Sequence, residues 1–95
     1  MKSKVEAYLG FAIKKGSAVL GCDNIVRARK RVYLLLYRPD LSLNSRKVVA
    51  RCAEKFRCAA CEYEFSLKNC KAIAVCDVNL AQAIIKNVAE EKNGK

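Results

Sequence analysis

The chain has 95 residues, 53% of them hydrophobic, with nineteen Lys and Arg against nine Asp and Glu and no His. That length holds one domain, spanning residues 1–95, and the apolar fraction is enough for a core. The formal net charge of +10 excludes an acidic chain and raises the local concentration of polyanions, with salt-dependent affinity for phosphate; the plain alternative is a basic surface that serves solubility.

Residues 1–6 are charged and residues 7–13 are too short and amphipathic for an export signal. No apolar run approaches membrane-spanning length, so a soluble cytoplasmic protein is expected. Val5, Tyr8, Leu9, Ala12 and Ile13 recur at i, i+3, i+4, i+7 and i+8, the pattern of an amphipathic helix. It ends at Lys14-Lys15-Gly16, with cations in the last turn and a terminating glycine. Ala18–Leu20 is a short extended piece. Residues 21–24 start a second helix, with Ile25, Ala28 and Val32 on its inner side. Residues 33–37, Tyr-Leu-Leu-Leu-Tyr, are a continuous apolar run of strand length, as in a central strand.

Residues 38–43 form a loop that holds the only proline. Asn44 or Ser45 caps a third helix, with Val48, Val49, Cys52, Ala53 and Phe56 inward and Arg46, Lys47, Arg51 and Lys55 outward. Residues 59–65 alternate as a strand with one wet face, residues 66–70 turn, and residues 71–76 read as another buried strand. Asp77 or Asn79 caps a final helix that buries Leu80, Ala83, Ile84 and Val88. The order α-β-α-β-α-β-β-α predicts an α/β fold, a three-layer α/β/α sandwich around a mixed four-stranded sheet.

Six cysteines without an export signal do not suggest a disulfide framework. Cys58 and Cys61 have CxxC spacing, with Cys70 and Cys76 downstream, so a zinc site is conceivable. The second pair is poorly spaced, and Cys61 and Cys76 fall in apolar strand-like runs, where Cys acts as a small hydrophobe. No metal and no cofactor is expected. No nucleophile with an adjacent base, P-loop or dinucleotide fingerprint is present. Asp40 and Asp77 lie near strand ends, where capping is the simpler role. The chain therefore reads as non-catalytic, with no small-molecule substrate.

The charge concentrates early: residues 1–31 hold eight basic and two acidic side chains. A helix start offers free N–H groups and partial positive charge for phosphate. Gly21, lacking a side chain, lets another backbone approach. Asn24, Arg27 and Arg31 fall at i, i+3 and i+7 of the second helix, one stripe pointing away from Ile25 and Val32, where an amide can read base edges and arginine can contact bases or phosphates. The alternative is an ordinary solvated helix face.

Several motifs come in a familiar order: Leu-Gly-Phe-Ala-Ile-Lys-Lys-Gly at 9–16, Val-Leu-Gly at 19–21, the basic segment, Asp40, Asn44-Ser45, and Ile-Ala-Val-Cys-Asp at 73–77. Over residues 5–89 the chain resembles the kink-turn-binding ribosomal-protein superfamily of the large-subunit "seven-Ae" and "thirty-e" type, which has Gadd-like relatives, and looks most like its small bacterial YlxQ-type members. The resemblance implies binding to a kinked RNA helix with tandem G·A pairs through the start of the second helix. Carried over, Gly21 matches the family glycine and Cys22 a small residue. Asp23 and Asn24 match the paired polar positions, and Arg27 the usual lysine. Lys14, Lys15, Lys30 and Arg31 would add phosphate contacts. A loop before the last strand, here residues 65–70 with Leu67 and Lys68, would clamp a flipped-out nucleotide. Asp23 is negative where the family is neutral or cationic, and the 66–70 segment is several residues shorter. The implied partner is structured RNA, ribosomal or regulatory, and through it the ribosome or ribosomal proteins, with no membrane. The alternative is a protein–protein interaction module of the same fold that has lost kink-turn recognition.

Overall fold

The computed structural model describes residues 4–67 and 70–93. Four helices and four strands alternate as the sequence predicts: α1 (Lys4–Lys15), β1 (Ala18–Leu20), α2 (Cys22–Val26), β2 (Leu34–Tyr37), α3 (Leu43–Phe56), β3 (Ala59–Glu62), β4 (Ala72–Val75) and α4 (Val78–Asn93). The strands form one mixed sheet in the order β1-β4-β2-β3, with β4 antiparallel to β1 and β2, and β2 parallel to β3. The parallel pair is joined by α3, as a parallel connection requires.

The two central strands are apolar throughout because both of their faces are covered. Successive side chains alternate between faces. Leu34 and Leu36 of β2, with Ile73 and Val75 of β4, pack against Val5 and Leu9 of α1 and Ala81, Ile84 and Val88 of α4. Leu35, Ala72 and Ala74 point the other way, toward Ile25 of α2 and Val49 and Cys52 of α3. Those two cores on opposite faces make the three layers. Each fully buried aliphatic side chain contributes about 1.5–3 kcal/mol relative to exposure.

Several local expectations shift. Ile13 is on the exposed side of α1, at 37%. Ser42, rather than Asn44 or Ser45, caps α3, its hydroxyl accepting from the Ser45 N–H at 3.2 Å. The third helix thereby begins at Leu43, in what the sequence reads as loop. Arg46 does not face freely outward. Its guanidinium donates to the carbonyls of Leu41 and Pro39, lies over the Tyr37 ring at 5.5 Å and pairs with Glu62. The edge strand β3 stops at Glu62, short of residue 65, because Phe65 leaves the sheet to enter the α1/α4 core, where it is fully buried. Among the described residues, no helix is long and apolar enough to cross a membrane.

Candidate nucleic-acid interface

The strand register divides the loops between two ends of the sheet. Ala18, Val75, Leu34 and Ala59 stand side by side at one end. There α1 terminates, α4 starts, and the chain enters β2 and β3. Leu20, Ile73 and Tyr37 mark the other end, together with Glu62. There α2 and α3 begin and the chain enters β4. The first is the α1-terminal end and the second the α2-initial end.

At the α2-initial end Gly21 has φ 87° and ψ 146°, backbone that side-chain-bearing residues rarely adopt. Its N–H donates to Ala72 O at 2.9 Å, tying the turn to β4, and its carbonyl accepts from the Ile25 N–H at 3.0 Å. A Cβ here would meet nothing within 4 Å. The glycine is therefore required by its dihedrals, and the space where a side chain would stand is open. Among the described residues no side chain caps α2. Cys22 is half-buried, and burial pushes its thiol above the ordinary value, with the Ser45 hydroxyl opposing in part. Asp23 and Asn24 are exposed. The Asn24 amide nitrogen donates back to Leu20 O at 2.9 Å.

The stripe of Asn24, Arg27 and Arg31 does not form. The second helix has five residues, and the Ala28 N–H turns back to Ile25 O at 3.1 Å, the tightened last turn of a helix that is stopping. The Lys55 ammonium lies 3.4 Å from Val26 O, one of the carbonyls the short helix leaves open. Val32 still reaches the α2/α3 core, but from an irregular segment. The Tyr33 N–H already donates to Val75 O at 2.9 Å, so the chain must be extended there. Arg27 sits at the helix end with its side chain exposed. Arg31 is carried away and lies over the Tyr33 ring at 5.6 Å.

Lys30 donates to Gly16 O at 2.8 Å and Lys15 pairs with Asp77. Those contacts place Lys14, Lys15, Lys30 and Arg31 at the α1-terminal end, across the sheet from Gly21. The expected phosphate contacts and the expected reader therefore occupy opposite ends. Sequence proximity of residues 21–31 conceals this, because the segment itself crosses the molecule.

The loop before β4 does share the α2-initial end. Leu67 is half-buried against the α1/α4 core; Lys68 lies outside the described residues. Leu67, Arg38, Asp40, Cys70 and Lys71 line a cleft of about 270 Å³. The Arg38 guanidinium donates to Phe65 O at 2.6 Å and Asp40 Oδ1 at 3.0 Å, and Lys71 Nζ stands 3.7 Å from Asp40 Oδ2. The Arg38 hydrogen bond holds the Asp40 carboxyl below the usual carboxylate range, with Lys71 adding to it. Arg38 and Lys71 were missed in the sequence reading. Only the strand register brings them together: Tyr37 and Ala72 are antiparallel partners, so the residues just outside them meet, and the Arg38 N–H donates to Lys71 O at 2.8 Å.

All six cysteines are free thiols, and among the described residues no group of three or more Cys, Asp or Glu is placed to hold a metal ion. Burial raises the thiols of Cys52, Cys58 and Cys76 as well as Cys22, which keeps them neutral and poorly nucleophilic at pH 7. Asp77 caps α4, accepting from the N–H groups of Asn79 at 2.9 Å and Leu80 at 3.1 Å. Its bond from Lys15, with those backbone bonds, lowers its pKa.

The chain matches no protein-family profile and no curated protein. Among solved structures it is similar to a protein of unknown function from Bacillus halodurans C, with a TM-score of 0.83 over 94% of this chain and 100% of that one at 15% identity. At that identity the likeness is one of fold.

Proposed function

We propose that this chain is a non-catalytic, cytoplasmic binder of structured RNA, of the kink-turn kind, in a ribosomal or regulatory ribonucleoprotein. In this reading the start of α2 (Gly21, Cys22, Asp23, Asn24) and Arg27 face the RNA, with Leu67 closing over it from the loop before β4. The observation that carries the reading is the surplus of exposed cations. The net charge is +10, while Asp40, Glu62 and Asp77 are already paired. Among the described residues Lys14, Arg27, Arg29, Lys47, Arg51 and Arg57 are exposed with no carboxylate partner. A surface of this kind attracts phosphate and releases counterions on binding. The resemblance noted in the sequence supports the narrower assignment to kinked RNA, and the chain has no His for general acid–base work.

A second reading, a protein-interaction module, is favoured by Phe11, 59% exposed on α1 beside Ala7 and Gly10, and by the negative charge of Asp23. The two separate in one titration. Calorimetry against a kink-turn RNA and against the same helix lacking its G·A pairs, at two salt concentrations, should show preference for the kinked form that survives the higher salt. Equal, salt-labile binding to both would remove the kink-turn assignment; no binding at low salt would remove RNA altogether.

A further inference from the structure

The two helices that terminate at the α1-terminal end do so with the same left-handed motif and different residues. After α1, Gly16 (φ 79°) donates to Ile13 O at 3.1 Å and Ser17 to Ala12 O at 2.8 Å. After α3, Arg57 (φ 55°, ψ 49°) donates to Glu54 O at 3.3 Å and Cys58 to Ala53 O at 3.0 Å. This is the position where glycine is usual, since a Cβ is disfavoured in left-handed backbone. Arg57 is the one positive-φ residue other than glycine among those described. Its side chain makes no hydrogen bond or ion pair to any described residue, so within the fold it has only the modest, solvent-screened attraction of a cation to the C-terminal end of α3.

What surrounds it points outward. Arg57, Lys55 and Phe56 face Arg31 and Val32 across an open cleft of about 360 Å³. Val32 is buried and adds an apolar side chain to the lining. Arg31 lies over the Tyr33 ring at 5.6 Å and Lys55 over the Phe56 ring at 5.3 Å, contacts that limit the freedom of both long side chains at the rim. Lys14, Arg29 and Lys30 add charge at the same end. The acids there are Asp77, already paired with Lys15, and Glu54 in the last turn of α3. Three cations around one cleft, two of them guanidinium groups, match the oxygens of a phosphate.

We propose that Arg31, Lys55 and Arg57 form a second RNA-backbone site, distinct from the α2 start and at the opposite end of the sheet. It rests on the reading that the chain binds RNA. A duplex lying along the molecule, whose extents are 34 × 28 × 25 Å, then meets protein cations at both ends.

Arg57→Gly tests it with opposite signs in two assays. Glycine relieves the left-handed strain, so the urea midpoint should stay or rise. Affinity for a kink-turn RNA with extended arms should fall several-fold, and the slope of log affinity against log salt should drop by about 1. Arg57→Lys should keep the slope. The combined variant Arg31→Gln, Lys55→Gln, Arg57→Gly should lower the slope by about 3 while retaining the preference for kinked over unkinked RNA. Wild-type binding with unchanged slope and affinity in both Gly-containing variants would overturn this site alone. Loss of kink preference in the combined variant would make the cleft the reader itself and overturn its separateness. Failure of the wild type to bind either RNA at low salt would overturn both this site and the RNA reading.

Discussion

Replacing Gly21 by alanine isolates what that residue does. A Cβ at this position meets open space, so no neighbour needs to move and the penalty is purely conformational. The backbone at φ 87°, ψ 146° cannot relax without losing the bond from Gly21 N–H to Ala72 O, which fixes the exit from β1. Holding a side-chain-bearing residue in such a region costs of order 1–3 kcal/mol. In a domain of this size about 2 kcal/mol lowers Tm by roughly 8–16 °C. Gly10→Ala is the internal control. Gly10 lies inside α1, also with open space at its Cβ and without positive φ. Alanine there should stabilise by about 0.5–1 kcal/mol. The same chemical change is thus expected to act with opposite signs at two open positions. Urea unfolding followed by far-UV circular dichroism gives both midpoints. A Gly21→Ala midpoint equal to or above wild type would refute the conformational argument, since no steric term exists to compensate.

Phe65 anchors the segment between β3 and β4 in the α1/α4 core, and its carbonyl receives the Arg38 guanidinium. Phe65→Ala should destabilise by about 3–5 kcal/mol in chemical denaturation; a loss under about 1 kcal/mol would mean the loop is not anchored there. The buried thiols give a pH dependence. Burial raises the folded-state values of Cys22, Cys52, Cys58 and Cys76 above that of an ordinary thiol. Their stabilising effect is whole below the unfolded value and is lost as pH rises through the folded values. The urea midpoint should therefore decline on the alkaline side, and alkylation at pH 7 should be slower for the folded than for the urea-unfolded chain. Equal alkylation rates would show that the thiols are not protected by the fold.

The element order was legible in the sequence because hydrophobic period and burial are tightly coupled here. Tyr33-Leu-Leu-Leu-Tyr37 reads as a central strand since β2 is covered on both faces, and the 3.6-residue spacing of Val5, Leu9 and Ala12 marks the side of α1 that faces the sheet. Gly16 and Asp77 were legible as helix boundaries because each satisfies orphan backbone groups locally. The third helix was misplaced at its start for the same kind of reason: Ser42, Asn44 and Ser45 all offer capping oxygens, and only the register of Val49 and Cys52 against the sheet selects Ser42. The edge strand was overextended because Phe65 fits the alternation of residues 59–65 yet finds its place in the core beyond the strand.

The site divides in the same way. Local sequence determined that Gly21, Cys22, Asp23 and Asn24 would open a helix and that cations would follow. It could not determine where those cations go. The periodicity of Ile25, Ala28 and Val32 suits a long helix, but the β2–β4 hydrogen bonds force Tyr33 to be extended, and the chain uses residues 27–32 to cross the molecule instead. Arg31 thereby leaves Asn24 and joins Lys55 and Arg57, residues more than twenty positions away, while Arg38 and Lys71 come together near Leu67. Such groupings depend on strand register, a long-range property carried by backbone hydrogen bonds that are nearly blind to side-chain identity. Composition determined the strength of the field; the fold alone decided at which two ends of the sheet it is concentrated.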